Sequence, residues 1–141
     1  TASYFNRKNK SFSGVFTAHR TTTSTTFAVV NSEITVNFVT WADDQVHAII
    51  GGNQSNGAAN KVNATTIGWD GTADVDFMSI SSSATGLPYP IGVSGVKSLS
   101  VGKHSATLMG ATTSGGTATW LVVPGTSIVY TTPTVTVQFK G

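Results

Sequence analysis

The chain has 141 residues, enough for one domain with its own apolar core. It contains no cysteine, which excludes disulfides, thiolate nucleophiles and cysteine metal sites. Only 10% of the residues are charged and the formal net charge is +2, too little to argue for nucleic acid, and Thr, Ser, Asn and Gly supply the polarity instead.

An uncharged polar surface suits close contact with other protein; an extracellular β protein with a neutral surface is the other reading. The absence of cysteine leans toward assembly in a reducing cytoplasm. The basic start is not followed by an apolar run, and no stretch approaches the roughly 18 apolar residues of a membrane helix, so neither a signal peptide nor a membrane span is expected. The first residue, Thr1, fits a product whose initiator Met was removed, and a cleaved precursor would look the same.

Residues 1–12 come first and differ from the rest. Tyr4, Phe5 and Phe12 are interleaved with Arg7, Lys8 and Lys10, without alternation or helical period. This predicts an extended N-terminal arm, ordered by contact with something else. With Arg20 it makes the first twenty residues basic, while all six acids fall later.

From residue 13 to 141 a single β domain is expected. β-rich runs are read at 25–30, 34–39, 45–50, 62–69, 75–80, 91–96, 105–109, 117–123, 127–130 and 134–140. The clearest period-2 alternation is Ile34, Val36 and Phe38 against Thr35, Asn37 and Val39. Turns are expected at Gly51-Gly52-Asn53, Asn56-Gly57, Asp70-Gly71, Gly115-Gly116 and Pro124-Gly125, with an irregular connection at Pro88 and Pro90. One short helix at most is predicted, near Ala58–Lys61, and residues 53–61 read as a mobile loop. Many short strands with frequent turns and no internal repeat mean a sandwich or barrel.

Catalytic chemistry finds little to stand on. His19, His47 and His104 lie far apart without ligand spacing, and each reads as a hydrogen-bonded structural histidine. Asp70, Asp74 and Asp76 imitate a calcium loop, but Gly71 follows the first Asp directly and no Glu closes the loop. A turn at Asp70-Gly71, with Asp74 and Asp76 on one exposed strand face, explains them better; Asp43-Asp44 reads as a polar turn. Ser94–Lys97 and Ser100–Lys103 have the Ser-x-x-Lys spacing, which works in enzymes because a helix puts both side chains on one face; here the context is strand or turn. No catalytic residue, metal ligand or cofactor is assigned. Trp41, Trp69 and Trp120 read as packing residues. Tyr89, between two prolines, reads as presented in a loop, and with Asn53 and Asn56 is the candidate glycan contact. Asn9, Asn53 and Asn63 head glycosylation acceptor patterns, common by chance in such a composition.

The stretch Leu99–Leu108, followed by Gly115-Gly116-Thr117-Ala118-Thr119-Trp120, resembles phage fibre-head and capsid decoration proteins, and the strand at Thr134–Lys140 fits the same pattern. Those domains are similar in turn to the trimeric jelly rolls of the C1q and tumour-necrosis-factor type. The resemblance implies an all-β, jelly-roll-like antiparallel β-sandwich that closes as a homotrimer in a virion assembled in the host cytoplasm. Its implied partners are copies of itself and a major capsid or other virion protein, with no nucleic acid and no membrane. The arm residues Tyr4, Phe5, Arg7, Lys8, Lys10 and Phe12 would dock on a neighbouring subunit or the lattice. The alternative reading is a glycan-binding, lectin-like receptor module; a small hydrolase is a third.

Overall fold

A computed structural model describes residues 8–41, 44–122 and 131–140. Tyr4, Phe5, Arg7 and Asp43, the turn expected at Pro124-Gly125 and the run at 127–130 lie outside the described residues. Among the described residues eleven strands follow one another: β1 (Asn9–Val15), β2 (Arg20–Thr22), β3 (Ala28–Val29), β4 (Val36–Thr40), β5 (Asp44–Asn56), β6 (Lys61–Trp69), β7 (Thr72–Ser83), β8 (Tyr89–Leu99), β9 (Gly102–Thr112), β10 (Ala118–Trp120) and β11 (Thr134–Lys140). The helical turn described is a 3-10 turn at Ser32–Ile34, where Asn31 Oδ1 accepts from the Glu33 amide at 2.9 Å. No helix among the described residues is long and apolar enough to cross a membrane.

The pairing is nested. β6 pairs with β7, β5 with β8, β3 and β4 with β9, and β1 and β2 with β11 and β10, all antiparallel. One long hairpin is thereby rolled into two sheets, which is the jelly-roll topology. The first sheet runs β8–β5–(β11, β10)–(β1, β2), with β11 and β10 end to end along one side of β5; the second runs β7–β6–β9–(β3, β4). Sequence alternation maps onto these sheets. Val46, Ala48 and Ile50 of β5, Val135 and Val137 of β11, Val36 and Phe38 of β4, and Ala106 and Leu108 of β9 are buried between them.

The turns gather at two ends. The first end carries the β4–β5 connection, the β6–β7 turn, the β8–β9 turn and the start of β1. The second carries the loops at 23–27, 57–60, 84–88 and 113–117. At the first end Asp70 and Gly71 form a two-residue hairpin between Trp69 and Thr72, both with positive φ (49° and 83°), as the Asp-Gly pair predicts.

Several expectations change. Residues 9–12, read as arm, are the outer part of β1 and pair in register with Lys140–Val137. The arm has a partner within its own chain there, because β11 needs an edge neighbour. Gly51-Gly52-Asn53 is not a turn but lies inside the thirteen-residue β5. Gly52 has φ 139°, and a Cβ there would meet Pro133 Cα at 2.5 Å, so the glycines serve a close approach instead of a reversal. Residues 53–61 are strand ends around a tight turn, not a loop, and no helix forms at 58–61.

Candidate assembly interface

The first end is open between the edge strands β1 and β4. Phe12, Phe38 and Phe139 face inward there, with Phe139 stacked on Phe12 at 6.1 Å and tilted against Phe38 at 5.3 Å. Val39, on the outward phase of β4, and Trp41, just past the end of that strand, line its rim, and Lys10 stands on the β1 side. The result is an aromatic cleft of about 310 Å³. Burial is incomplete: Phe12 and Val39 are 43% exposed and Trp41 is 65% exposed. A core that ends in half-covered aromatics leaves apolar surface for something to cover.

Beside the cleft the first end is charged. His104 of β9 packs its ring against Phe38 at 6.1 Å. Its Nδ1 lies 2.7 Å from Asp70 Oδ2 and its Nε2 lies 2.9 Å from the Ser100 carbonyl oxygen. Both partners only accept, so the doubly protonated imidazolium satisfies both bonds. The Asp70 bond is the main cause that raises the His104 pKa above its ordinary value; burial works against it and the Ser100 bond assists. For Asp70, burial pushes upward, but the bonds from His104 and the Ser105 amide, with the charges of His104 and Lys97, leave it lowered. The pair ties the β6–β7 turn to the β8–β9 turn. On the side of the sandwich, Arg20 Nε donates to Glu33 Oε1 at 2.6 Å, and with the Thr17 hydroxyl this lowers the Glu33 carboxyl to about 2.

The second end is built differently. Its interior is polar: Asn56 Nδ2 donates to Asn63 Oδ1 (2.6 Å) and Thr112 Oγ1 (2.9 Å), and Thr65 Oγ1 donates to Gln54 Oε1 (2.7 Å) while accepting from Trp120 Nε1 (3.0 Å). Outside, on the second sheet, Phe27, Val62, Ala64, Met78 and Ala111 line a shallow apolar cleft of about 640 Å³.

The candidate glycan residues do not come together. Asn56 is 1% exposed, with its amide committed inside the protein, so it is corrected from surface contact to core. Tyr89 is not in a loop; it is half-buried on β8, opposite the buried Gln54 and therefore on the inner face, whereas Asn53 is on the outer phase of β5. Asn53 Oδ1 accepts from the Thr131 amide at 2.7 Å. Asn63 is 1% exposed, closed to glycosylation in the folded domain. Asp74 takes the Trp69 indole N–H at 3.0 Å and sits half-buried, while Asp76 is exposed, so the two do not share one exposed face. Among the described residues no three His, Asp or Glu side chains converge on a metal-sized space. His47 Nε2 meets Ser94 Oγ at 2.8 Å, and His19 Nδ1 accepts from the Val122 amide at 2.8 Å. Trp69 and Trp120 pack in the core; Trp41 does not.

Sequence reasoning missed Phe38, Val39, Trp41 and Phe139 as residues lining one cleft. A signal was present: Val39 is an apolar residue on the outward phase of the best alternating run, and Trp41 follows two residues later. Of the arm residues, Lys8, Lys10 and Phe12 are described, and Lys10 and Phe12 line the cleft.

No family model and no curated protein matches the chain. Among solved structures, the chain is similar to a chain of the infectious bursal disease virus Gx strain at a TM-score of 0.47 and 9% identity, covering 96% of this chain and 36% of that one. A second is the VP2 subviral particle of infectious bursal disease virus, at a TM-score of 0.42 and 12% identity, covering 96% of this chain and 37% of that one. The chain thus spans little more than a third of the length of the chains it resembles.

Proposed function

We propose that this chain is a non-catalytic structural subunit of a virion, a jelly roll that packs against copies of itself as a homotrimer. Its finer role is that of a capsid decoration or cement protein, or a related fibre head, of the phage type. The observation that carries this reading is the surface. Twelve large apolar side chains are at least 40% exposed among the described residues, in a chain with only 10% charged residues. A freely diffusing domain keeps such surface small and breaks it up with charge. Closed symmetry covers it without leaving a growing edge. The basic start of the chain, with Lys8 and Lys10 exposed at the first end, is the attachment segment toward a capsid lattice.

Sedimentation velocity at micromolar concentration in native salt tests this, with a trimer expected. A stable monomer overturns the reading. Co-sedimentation with empty virus shells then tests attachment, which the reading expects to weaken as salt rises, because exposed lysines act through screenable fields.

A further inference from the structure

We infer that the bulged edge of β7, residues 74–77, inserts into the aromatic cleft of a second copy of this chain. The inference rests on the proposed self-assembly and names the contact that carries it. The donor is a register fault in the second sheet. Thr66 pairs with Met78 and Gly68 with Ala73, so four residues of β7 stand against Ile67 alone. Such a stretch is thrown off the sheet and its side chains are re-aimed. It is pinned in that shape by Thr66, whose Oγ1 meets the carbonyl oxygen of Phe77 at 2.7 Å and also that of Asp74. The result is a knob on an edge strand, with Val75 58% exposed, Phe77 44% exposed and the exposed Asp76 between them. The acceptor is a double hollow. Beside the cleft over Phe12, Phe38 and Phe139 lies a second one of about 330 Å³ that reaches Lys103 and His104, and Phe38 and Val39 line both. Two adjoining hollows fit two apolar side chains set two residues apart, and an apolar strand edge is a ready site of association.

Charge matches the two surfaces. β7 carries Asp74 and Asp76 and no base. The acceptor is flanked by bases: Lys103 stands opposite Val39 in register and Lys10 opposite Phe139, with Lys8 and Lys140 exposed nearby. The described acids of the acceptor side are committed elsewhere. Asp44 is buried, Arg20 holds Glu33, and His104 with the Ser105 amide holds Asp70. An acidic, apolar knob is therefore drawn to this cleft and a basic segment is repelled. The chain's own knob cannot fill it. β7 and β4 are opposite edges of the second sheet, with β6 and β9 between them, about 14 Å apart. Donor and acceptor on opposite edges make the contact head to tail, and head-to-tail contacts close into rings when the rotation between copies allows, after three copies in the proposed trimer.

The test exchanges the charges in the full chain. Asp76→Lys alters the knob, and Lys10→Glu with Lys103→Glu alters the cleft; all three positions are exposed, and circular dichroism checks that the fold is kept. Association is read by sedimentation velocity, and the cover on Trp41 by acrylamide quenching; Trp69 and Trp120, at 2% and 0% exposure, stay silent. The wild-type oligomer is expected to protect Trp41. Each alteration alone is expected to weaken association about tenfold or more and to open Trp41. The chain carrying all three substitutions is expected to regain both association and protection. If either alteration alone leaves assembly and protection unchanged, if the combined chain stays as weak as the others, or if the wild-type oligomer leaves Trp41 open, the contact assignment is wrong and self-assembly stands. If wild type is monomeric with Trp41 open, both the inference and the proposed trimer fall. If it is monomeric with Trp41 already protected, the chain covers its own cleft; if protection comes only on empty virus shells, a different virion protein fills it. Either result overturns the second-copy assignment.

Discussion

The two ends of the sandwich solve the same problem in opposite ways. At the first end the interior is mainly apolar, with Phe38, Val46, Trp69, Leu99 and Phe139 beside the buried Thr40 and Asp44, and the rim carries Lys8, Lys10, Lys140, Lys97, Lys103, Asp70 and Asp76. At the second end the interior is a hydrogen-bonded set of Gln54, Asn56, Asn63, Thr65 and Thr112, while the rim loops of the described residues are uncharged except for Lys61. An apolar core is forgiving about geometry, so its rim can be spent on charge. A polar core is stable only when every donor and acceptor is matched, and the second end is accordingly held by short fixed bonds. The difference separates an end suited to contact and exchange from an end suited to rigidity.

The comparison is tested most heavily by removing packing at the first end. Phe38→Ala is expected to cost about 3–5 kcal/mol in urea unfolding, since it empties a site that joins Phe139 and His104. Next is Asn56→Ala at the second end, which strands Asn63, Thr112 and the amides of Ala58 and Thr117. A loss of about 2–3 kcal/mol is expected. A loss within about 0.5 kcal/mol, as at an ordinary surface site, would mean that the polar interior is not a matched network.

A smaller effect is the pH dependence of the first end. His104 is raised, so its contribution is complete below its ordinary value of 6.5 and is lost as pH rises through the folded value. Asp70 is lowered, so its contribution is present above its ordinary 3.8 and is lost as pH falls through the folded value. The pair therefore stabilises most between 3.8 and 6.5. Melting temperature should decline as pH rises above 6.5, and His104→Gln should flatten that slope. An unchanged slope in the variant would remove the tie between the two turns. Smallest is Lys61→Gln, which removes the charge of the second end and one bond to the Ser114 carbonyl, exposed to water. Stability should move by no more than about 0.5 kcal/mol.

The strands were legible where burial alternates. Val36–Thr40 and Thr134–Lys140 show period 2 because one side faces the core, whereas Ser105–Met109 alternates in sequence although Ala106–Met109 are buried on both phases. β2 and β3 were not readable with their bounds, since two or three residues carry no period. β1 was hidden because it is an edge strand exposed along most of its length, so Asn9–Phe12 shows no alternation of polarity. The second end misled for a different reason. Asn, Gly and Ser are turn formers by local chemistry, but Asn56 and Asn63 are used as core residues, and only the pairing of β5, β6 and β9 brings their partners together. The cleft depends on residues more than a hundred positions apart, such as Phe38 and Phe139, so composition held its aromatic content and topology alone located it.

The nested hairpin also fixes an order of events. The β6–β7 hairpin closes over a two-residue turn, whereas Asn9 waits for Lys140. Loop-closure entropy favours the inner hairpin first, with each outer pair zipping onto the one before it. β1 has no β11 to pair with until synthesis has passed residue 134, so the start of the chain is the last part captured. During translation β1 is the strand that stays unpaired longest. Neighbouring nascent chains on one message therefore expose it to each other before either domain has closed.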